Sequence, residues 1–162
     1  TGFASTTSFR YVGNILKVGM ISDKFQPSLS SGMLIHVAIP SYELDKSLNF
    51  YRDVIGATPF RILDDRVTFG FHNLQLVCHL TNRNDNQPNS DFYPRHFGFT
   101  FIEHTEYHQF YEGVLAQYDS FVYSGMSSRF SGRSDEHMTF ILQDPSSNFV
   151  EFKHYLSPDS SF

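Results

Sequence analysis

The chain has 162 residues, of which 40% are hydrophobic and 18% charged, and its formal net charge is −5 at pH 7. These values fit one globular domain and exclude a disordered or fibrous chain. The scattered basic residues exclude a nucleic-acid-binding surface, the lack of any apolar run near 18 residues excludes a membrane span, and the single Cys78 excludes an internal disulfide.

Residues 1–32 are rich in Ser and Thr and carry three basic residues but one acidic residue. This composition resembles a processed organellar transit sequence, and the alternative is a surface arm without a function of its own. We therefore expect an arm or extension over 1–32, a domain over 33–156 and a tail over 157–162. The expected location is intracellular and soluble: a plastid or mitochondrion if the arm is a transit remnant, and the cytoplasm otherwise.

The first half of the domain predicts a strand, a helix and three further strands. The run 34–39 alternates in polarity and should stop at Pro40, after which Ser41 can cap a helix. The helix should end at Gly56, and its apolar stripe has helical spacing. The members of the stripe are Leu44, Leu48, Tyr51 and Ile55. Strands follow at 60–62, 67–71 and 74–80, and then a polar loop at 81–90.

The second half begins with the period-two run 95–102. Its three phenylalanines should face a hydrophobic layer, while His96, Gly98 and Thr100 face the other side. Thr105 can cap a second helix with an apolar face. That face consists of Tyr107, Phe110, Tyr111, Val114 and Leu115. We then expect a strand at 118–123, a Gly/Ser-rich loop at 124–134, and strands at 137–142 and 149–155.

The two halves form an internal repeat. A shift of sixty residues places His36 on His96 and Phe50-Tyr51 on Phe110-Tyr111, and the order of elements also agrees. The predicted fold class is therefore α+β. We expect two βαβββ modules, at 33–82 and 92–156, forming a cupped eight-stranded mixed sheet with helices on the outer face.

Strand parity places His36, His96 and Glu151 on the inner surface of this sheet. Two imidazoles and one carboxylate are the ligand set of a facial triad, which leaves about three positions of an octahedral metal open. Further polar side chains have the same parity. They are Gln75, His79, His137, Thr139, Lys153 and Tyr155. Burying such groups without partners would cost about 1–3 kcal/mol each, so the pattern favours a wet, metal-bearing cavity.

Each of these polar residues has a predicted role. His137 and His79 are candidate acids or bases, or they form hydrogen bonds inside the cup, and Tyr155 can orient a substrate oxygen. The candidate substrate-binding residues are Gln75, Thr139, Arg129 and Lys153. We expect Arg129 to lie on the 124–134 loop, and Lys153 to extend toward solvent or bind substrate.

Four stretches resemble the vicinal oxygen chelate superfamily, which includes glyoxalase I, bleomycin- and fosfomycin-resistance proteins and extradiol dioxygenases. They are Leu34–Ala38, Asn49–Gly56, Arg95–Gly98 and Asp144–Phe152. The resemblance covers about 33–156, and its most specific part runs from the Asp-Pro turn to Glu151. It implies metal ligands at His36, His96 and Glu151, similar to the iron site of extradiol dioxygenases and the manganese site of fosfomycin-resistance enzymes.

These expectations favour a metal-dependent enzyme whose small substrate chelates the metal through adjacent oxygens. The leading hypothesis is an oxidoreductase of the extradiol dioxygenase type with Fe(II); a lyase or transferase of the glyoxalase or fosfomycin-resistance type would use Mn, Zn or Ni. The alternative is a non-catalytic module that binds a small molecule or a protein. Resemblance to the superfamily also implies a homodimer, whereas the non-catalytic module would be an assembly subunit.

Overall fold

The computed structural model describes residues 34–83 and 91–157. The predicted N-terminal arm, residues 84–90 of the predicted loop and residues 158–162 of the predicted tail lie outside this part. Within the described part, no helix is both long enough and apolar enough to cross a membrane.

The described residues form two modules with the same order of elements. The first contains β1 (Ile35–Ser41), α1 (Leu44–Asn49), which continues as a π-helical turn (Phe50–Val54), β2 (Thr58–Ile62), β3 (Arg66–Phe71) and β4 (Leu74–Leu80). The second contains β5 (Phe97–Phe101), α2 (His104–Tyr118), a 3-10 turn (Asp119–Phe121), β6 (Val122–Arg129), β7 (His137–Gln143) and β8 (Phe149–Tyr155).

Each module has one four-stranded mixed sheet. The strand orders are β1-β4-β3-β2 and β5-β8-β7-β6. In each sheet the first strand pairs in parallel with the last strand of its module, and the remaining pairs are antiparallel. The predicted α+β class with two βαβββ modules is confirmed, and its eight strands are divided equally between two sheets.

The apolar faces of the two sheets contribute to one hydrophobic core. Phe71 of β3 contacts Phe99 of β5 with ring centroids 5.1 Å apart, and Phe50 contacts Phe121 at 5.0 Å. Because side chains alternate along a strand, the polar face of each sheet lies on the side opposite this shared core. We use "polar face" below for the face that carries His36 in the first sheet and Glu151 in the second.

The turn between β7 and β8 joins the modules through a buried carboxylate. Asp144 Oδ1 accepts hydrogen bonds from the backbone N–H groups of Ser146 and Asn148, both at 2.8 Å. Its Oδ2 accepts from the Tyr51 hydroxyl at 2.9 Å and from Asn148 Nδ2 at 2.8 Å. Asn148 Nδ2 also donates to the Pro40 carbonyl at 2.9 Å. This turn therefore connects the π-helical turn and β1 of the first module to the second module.

Burial of the Tyr51–Asp144 pair affects both acids. Burial raises the pKa of Asp144, and the four hydrogen bonds oppose that change. Burial and the Asp144 charge raise the pKa of Tyr51. The Tyr51 hydroxyl therefore keeps its proton and donates a hydrogen bond to the carboxylate. The segment Asp144–Phe152, which has the most specific family resemblance, thus begins with a turn that holds the two modules together.

Two predictions in the first module are wrong. β1 continues through Pro40, which is tolerated because β1 is the edge strand of the described sheet and Pro needs no ladder donor there. Ser41 does not cap α1: its hydroxyl bonds that of Ser47 at 2.8 Å, and Glu43 is the N-cap residue. The helical stripe and its end at Gly56 are confirmed, with Gly56 at φ 82°.

The second module differs from the prediction between residues 104 and 134. α2 begins at His104 with Glu103 as its N-cap, so Thr105 is not the cap, and Leu115 is 42% exposed. Residues 118–121 are helical, where the start of a strand was predicted, and β6 (Val122–Arg129) extends over 124–129, where a loop was predicted. The Gly/Ser-rich segment forms a strand because its backbone pairs with β7, with register shifts between Val122 and Ser127.

Candidate functional site

Glu151 is the centre of the polar cluster on the second sheet. It lies on β8, opposite Gly98 of β5, and its side chain is only 9% exposed. Oε1 accepts a hydrogen bond from the Thr139 hydroxyl at 2.9 Å. Oε2 lies 3.1 Å from His96 Nε2 and 2.9 Å from Lys153 Nζ. Three strands therefore bring an imidazole, an ammonium and a hydroxyl to one carboxylate.

Gly98 lets β5 and β8 lie close together at this point. A Cβ atom on Gly98 would collide with the backbone carbonyl oxygen of Glu151. Strand parity places Gly98 on the polar face but does not indicate this role. The available signal was the glycine itself, because a glycine inside a strand pattern often marks close backbone approach.

His96 lies just before β5 and is held by the chain that precedes it. Its Nδ1 is 3.0 Å from the Phe92 carbonyl oxygen, and the centroids of the His96 and Phe92 rings are 5.7 Å apart. A carbonyl can only accept, so Nδ1 donates a hydrogen bond and Nε2 is directed at Glu151. The same arrangement is common for histidines that bind metals, where a second partner fixes the ring orientation.

The surroundings of Glu151 favour its ionised form. Burial raises the pKa of Glu151, but hydrogen bonds from Lys153 and Thr139 and the charges of Lys153 and His96 together hold it below its ordinary value. Lys153 pairs with Glu151 and does not extend toward solvent; its side chain is 27% exposed. Its predicted role in substrate binding stays a prediction.

A cavity of about 240 Å³ opens at this cluster. Its lining residues are His96, Phe97, Gly98, Phe99, Thr100, Glu151 and Lys153. The polar groups of the lining come from both β5 and β8. A cavity of this size can hold a small molecule of about ten heavy atoms beside the carboxylate.

His36 occupies the corresponding polar face of the first sheet. It lies opposite Gln75 of β4, is exposed, and its Nδ1 is 2.8 Å from Gln75 Oε1. Among the described residues, no three His, Cys, Asp or Glu side chains are grouped so that they could hold a metal ion. The structure therefore brings His96 and Glu151 together on the second sheet but leaves His36, on the first sheet, apart from them.

Three other predicted site residues form a second group on the same sheet. Arg129 lies opposite His137, and His137 lies opposite Tyr155. The His137 ring is 4.9 Å from the Tyr155 ring, and its Nδ1 donates to the Asp135 carbonyl at 2.9 Å. Tyr155 is four residues from Glu151, roughly 13 Å along an extended strand. Arg129 belongs to β6, so its predicted place on a loop is wrong.

His79 lies at the end of β4 in the first module. It is exposed and stands opposite Pro40 and Arg66. Four residues separate it from Gln75, again roughly 13 Å along the strand. The neighbouring Leu80 is also 49% exposed, as at the end of a strand. The structure thus does not bring His79 to the Glu151 cluster.

Residues 33–152 of the chain match a family model that is described as Glyoxalase/Bleomycin resistance protein/Dioxygenase superfamily. The chain belongs to this superfamily. A glyoxalase/bleomycin resistance protein/dioxygenase from Alicyclobacillus acidocaldarius is similar at 36% identity and a TM-score of 0.72; the match covers 81% of this chain and 97% of that one. No curated protein sequence matches the chain.

Two solved structures with lower identity share the fold. A lactoylglutathione lyase from Agrobacterium tumefaciens is 18% identical with a TM-score of 0.58, over 81% of this chain and 98% of that one. A fosfomycin resistance protein from Listeria monocytogenes is 14% identical with a TM-score of 0.57, over 82% and 99%. At these identities the likeness concerns the fold alone.

Proposed function

We propose that this chain is a metal-dependent enzyme whose site is completed by a second copy of the chain. In this proposal His96 and Glu151 of one copy and His36 of the other bind one divalent cation. The observation that carries it is the 3.1 Å distance between His96 Nε2 and Glu151 Oε2 beside the cavity. Two neighbouring ligands of an octahedral cation, each about 2.1 Å from it, are separated by about 3 Å.

The surroundings of these two donors fit such a cation. Thr139 fixes one oxygen of Glu151, and the Phe92 carbonyl fixes the His96 ring with Nε2 toward the carboxylate. Outer partners of this kind orient metal ligands and set their protonation. The pair supplies two protein ligands, and an exposed imidazole from elsewhere can supply the third.

The second copy is supported by the exposed surface around His36. Leu34 is 66% exposed and Ile35 is 56% exposed, and β1 has only β4 as a neighbour among the described strands. Apolar residues at an unpaired strand edge are a common surface for association. In a twofold pair, each copy gives the same residue to the other, so His36 would reach the partner's Glu151 on both sides.

The proposed substrate is a small molecule with two adjacent oxygens. The bound cation would supply Lewis acidity and hold both oxygens. Within the chain, Glu151 and His96 fix the position of the site, and the hydroxyl of Thr100 and the ammonium of Lys153 face the bound molecule from the cavity wall. We favour oxidation of the extradiol dioxygenase type with Fe(II), because two imidazoles and one carboxylate are typical of such sites. Mn, Zn or Ni would suit a lyase or transferase.

The test measures bound metal in the purified full chain and in three variants, His36→Ala, His96→Ala and Glu151→Ala. We expect the wild type to hold metal in stoichiometric amount and each variant to lose it. Oxygen consumption with a panel of catechols, after loading with Fe(II) under reducing conditions, then tests the reaction. A wild type that binds no divalent metal would contradict the proposal.

Mixing two variants tests whether the site is shared. His36→Ala and Glu151→Ala copies, unfolded together and refolded in equal amounts, give mixed pairs with one intact site of two. Since about half of randomly formed pairs are mixed, metal content should return to about a quarter of the wild-type value. A site built within one chain would give no recovery on mixing.

A second candidate is a non-catalytic module that binds small anions. It is favoured by Lys153, whose ammonium already lies 2.9 Å from Glu151 Oε2, in the position where a cation would be expected. In that case the wild type would bind small carboxylates without metal, and Lys153→Met would abolish this binding. Carboxylate binding that strictly requires added metal would exclude this candidate.

A further inference from the structure

We infer that Lys153 selects an anionic substrate, and that it becomes available for this role when a divalent cation replaces it on Glu151. The inference rests on the proposed metal site and goes beyond it by naming the charge of the substrate. It is carried by the geometry around one atom, Glu151 Oε2, which receives both His96 Nε2 and Lys153 Nζ.

The first step is competition for Oε2. A carboxylate oxygen has two lone-pair positions, and both are used here by the imidazole at 3.1 Å and the ammonium at 2.9 Å. A cation bound by both His96 Nε2 and this oxygen takes the place of the imidazole N–H on Oε2, and the proton of that N–H leaves to solvent. The cation then shares Oε2 with the Lys153 ammonium. Because like charges repel, the cation drives the ammonium off this oxygen.

The second step is that Lys153 leaves and His96 stays. The His96 ring is anchored on its far side by the Phe92 carbonyl at 3.0 Å. Within the described part of the chain, the Lys153 ammonium has no polar partner other than Glu151. Its side chain has four flexible carbons, whereas the imidazole turns about two bonds only.

The third step concerns where the ammonium goes. The backbone of Lys153 is fixed by pairing with Thr100 of β5 on one side and Thr139 of β7 on the other. The ammonium therefore stays at the wall of the 240 Å³ cavity when it leaves Glu151. Glu151 is the only carboxylate in the described lining, so once a cation holds Glu151, the ammonium has no carboxylate partner there and is available to an anion that enters the cavity.

The substrate class follows from this arrangement. A molecule that binds the cation through two oxygens and carries a further anionic group, such as a carboxylate, would satisfy both positive charges. A neutral molecule would leave the ammonium without a partner in a partly enclosed site, which is unfavourable. Lys153 would thus be a specificity-determining residue.

The experiment measures binding in the full chain, first of Mn(II) alone and then of two probe ligands to the Mn(II)-loaded protein. The variants are Lys153→Met, Lys153→Arg, which keeps the charge, and Lys46→Met as a matched control. Lys46 also pairs with a carboxylate, Glu43 at 2.7 Å, but both side chains are exposed to solvent. Circular dichroism confirms that each variant is folded. The probes are catechol and 3,4-dihydroxybenzoate, which differ by one carboxylate.

We expect Lys153→Met to bind Mn(II) about tenfold more tightly than the wild type, because a competitor and a like charge are removed. We expect the wild type to bind 3,4-dihydroxybenzoate at least about tenfold more tightly than catechol, and Lys153→Met to lose this preference. Lys153→Arg should keep the preference, and Lys46→Met should match the wild type in both measurements.

Equal Mn(II) affinity in the wild type and Lys153→Met would overturn the displacement of Lys153. An equal preference for the two probes in both proteins would overturn its role in specificity. Either result leaves the metal site itself intact. A wild type that binds no Mn(II), Fe(II) or Zn(II) would instead overturn the proposed function, and this inference with it.

Discussion

Replacing Tyr51 by Phe should destabilise the chain by removing one hydrogen bond to a buried charge. Tyr51 is fully buried, and its hydroxyl donates to Asp144 Oδ2 at 2.9 Å. Hydrogen bonds to charged groups contribute about 1.5–3 kcal/mol to the free energy of unfolding. For a domain of this size each kcal/mol shifts Tm by about 2–4 °C, so we expect Tm to fall by about 3–12 °C.

Tyr107 provides the matched control for this change. It is also fully buried, but among the described residues its hydroxyl has no hydrogen-bond partner. Tyr107→Phe removes an unsatisfied polar group, so the free energy of unfolding should stay unchanged or increase. Thermal and urea unfolding followed by circular dichroism measure both variants. Equal destabilisation by the two substitutions would refute the assignment of the effect to the Tyr51–Asp144 bond.

Three further predictions concern Asp144, Gly98 and the loop before β7. Asp144→Asn should lower the free energy of unfolding by about 1–3 kcal/mol. Each oxygen of Asp144 accepts two hydrogen bonds, so in either orientation of the amide its N–H₂ group would face two donors. Wild-type stability of this variant would contradict the hydrogen-bond assignment. Gly98→Ala should lower the free energy of unfolding by about 1–3 kcal/mol, because its Cβ would meet the Glu151 carbonyl. Gly113 lies in open space on α2, so Gly113→Ala should raise the free energy of unfolding by up to about 1 kcal/mol. If urea unfolding ranked the two variants the other way, the close approach of β5 and β8 would be contradicted. A hydrogen bond from Gly132 lowers the pKa of Glu136, so its contribution to stability is present above the ordinary Glu pKa and is lost as pH falls through the lowered value. The Tm difference between wild type and Glu136→Gln should therefore shrink on acidification, and a difference independent of pH would contradict this.

Several elements could be predicted from the sequence because their signals are local. β4 and β8 have the predicted bounds, 74–80 and 149–155, since period-two alternation depends only on the backbone of the strand itself. The helical stripe ending at Gly56 is equally local. β6 could not be predicted, because its Gly/Ser-rich sequence has weak strand propensity and its pairing with β7 makes it a strand.

Some features of the candidate site could likewise be predicted from the sequence, and others could not. Strand parity and the internal repeat alone were sufficient to select His96 and Glu151, which the structure brings within 3.1 Å. They could not show that His36 lies apart from them, because parity assigns a side chain to a face of its own sheet and does not say which faces meet. The pairing of Lys153 with Glu151 could not be predicted from the sequence either, because a flexible side chain pairs with whichever group the neighbouring strands place near it. For this protein the sequence determined the modules and the faces, while the packing of two sheets around one core decided which polar groups share a site.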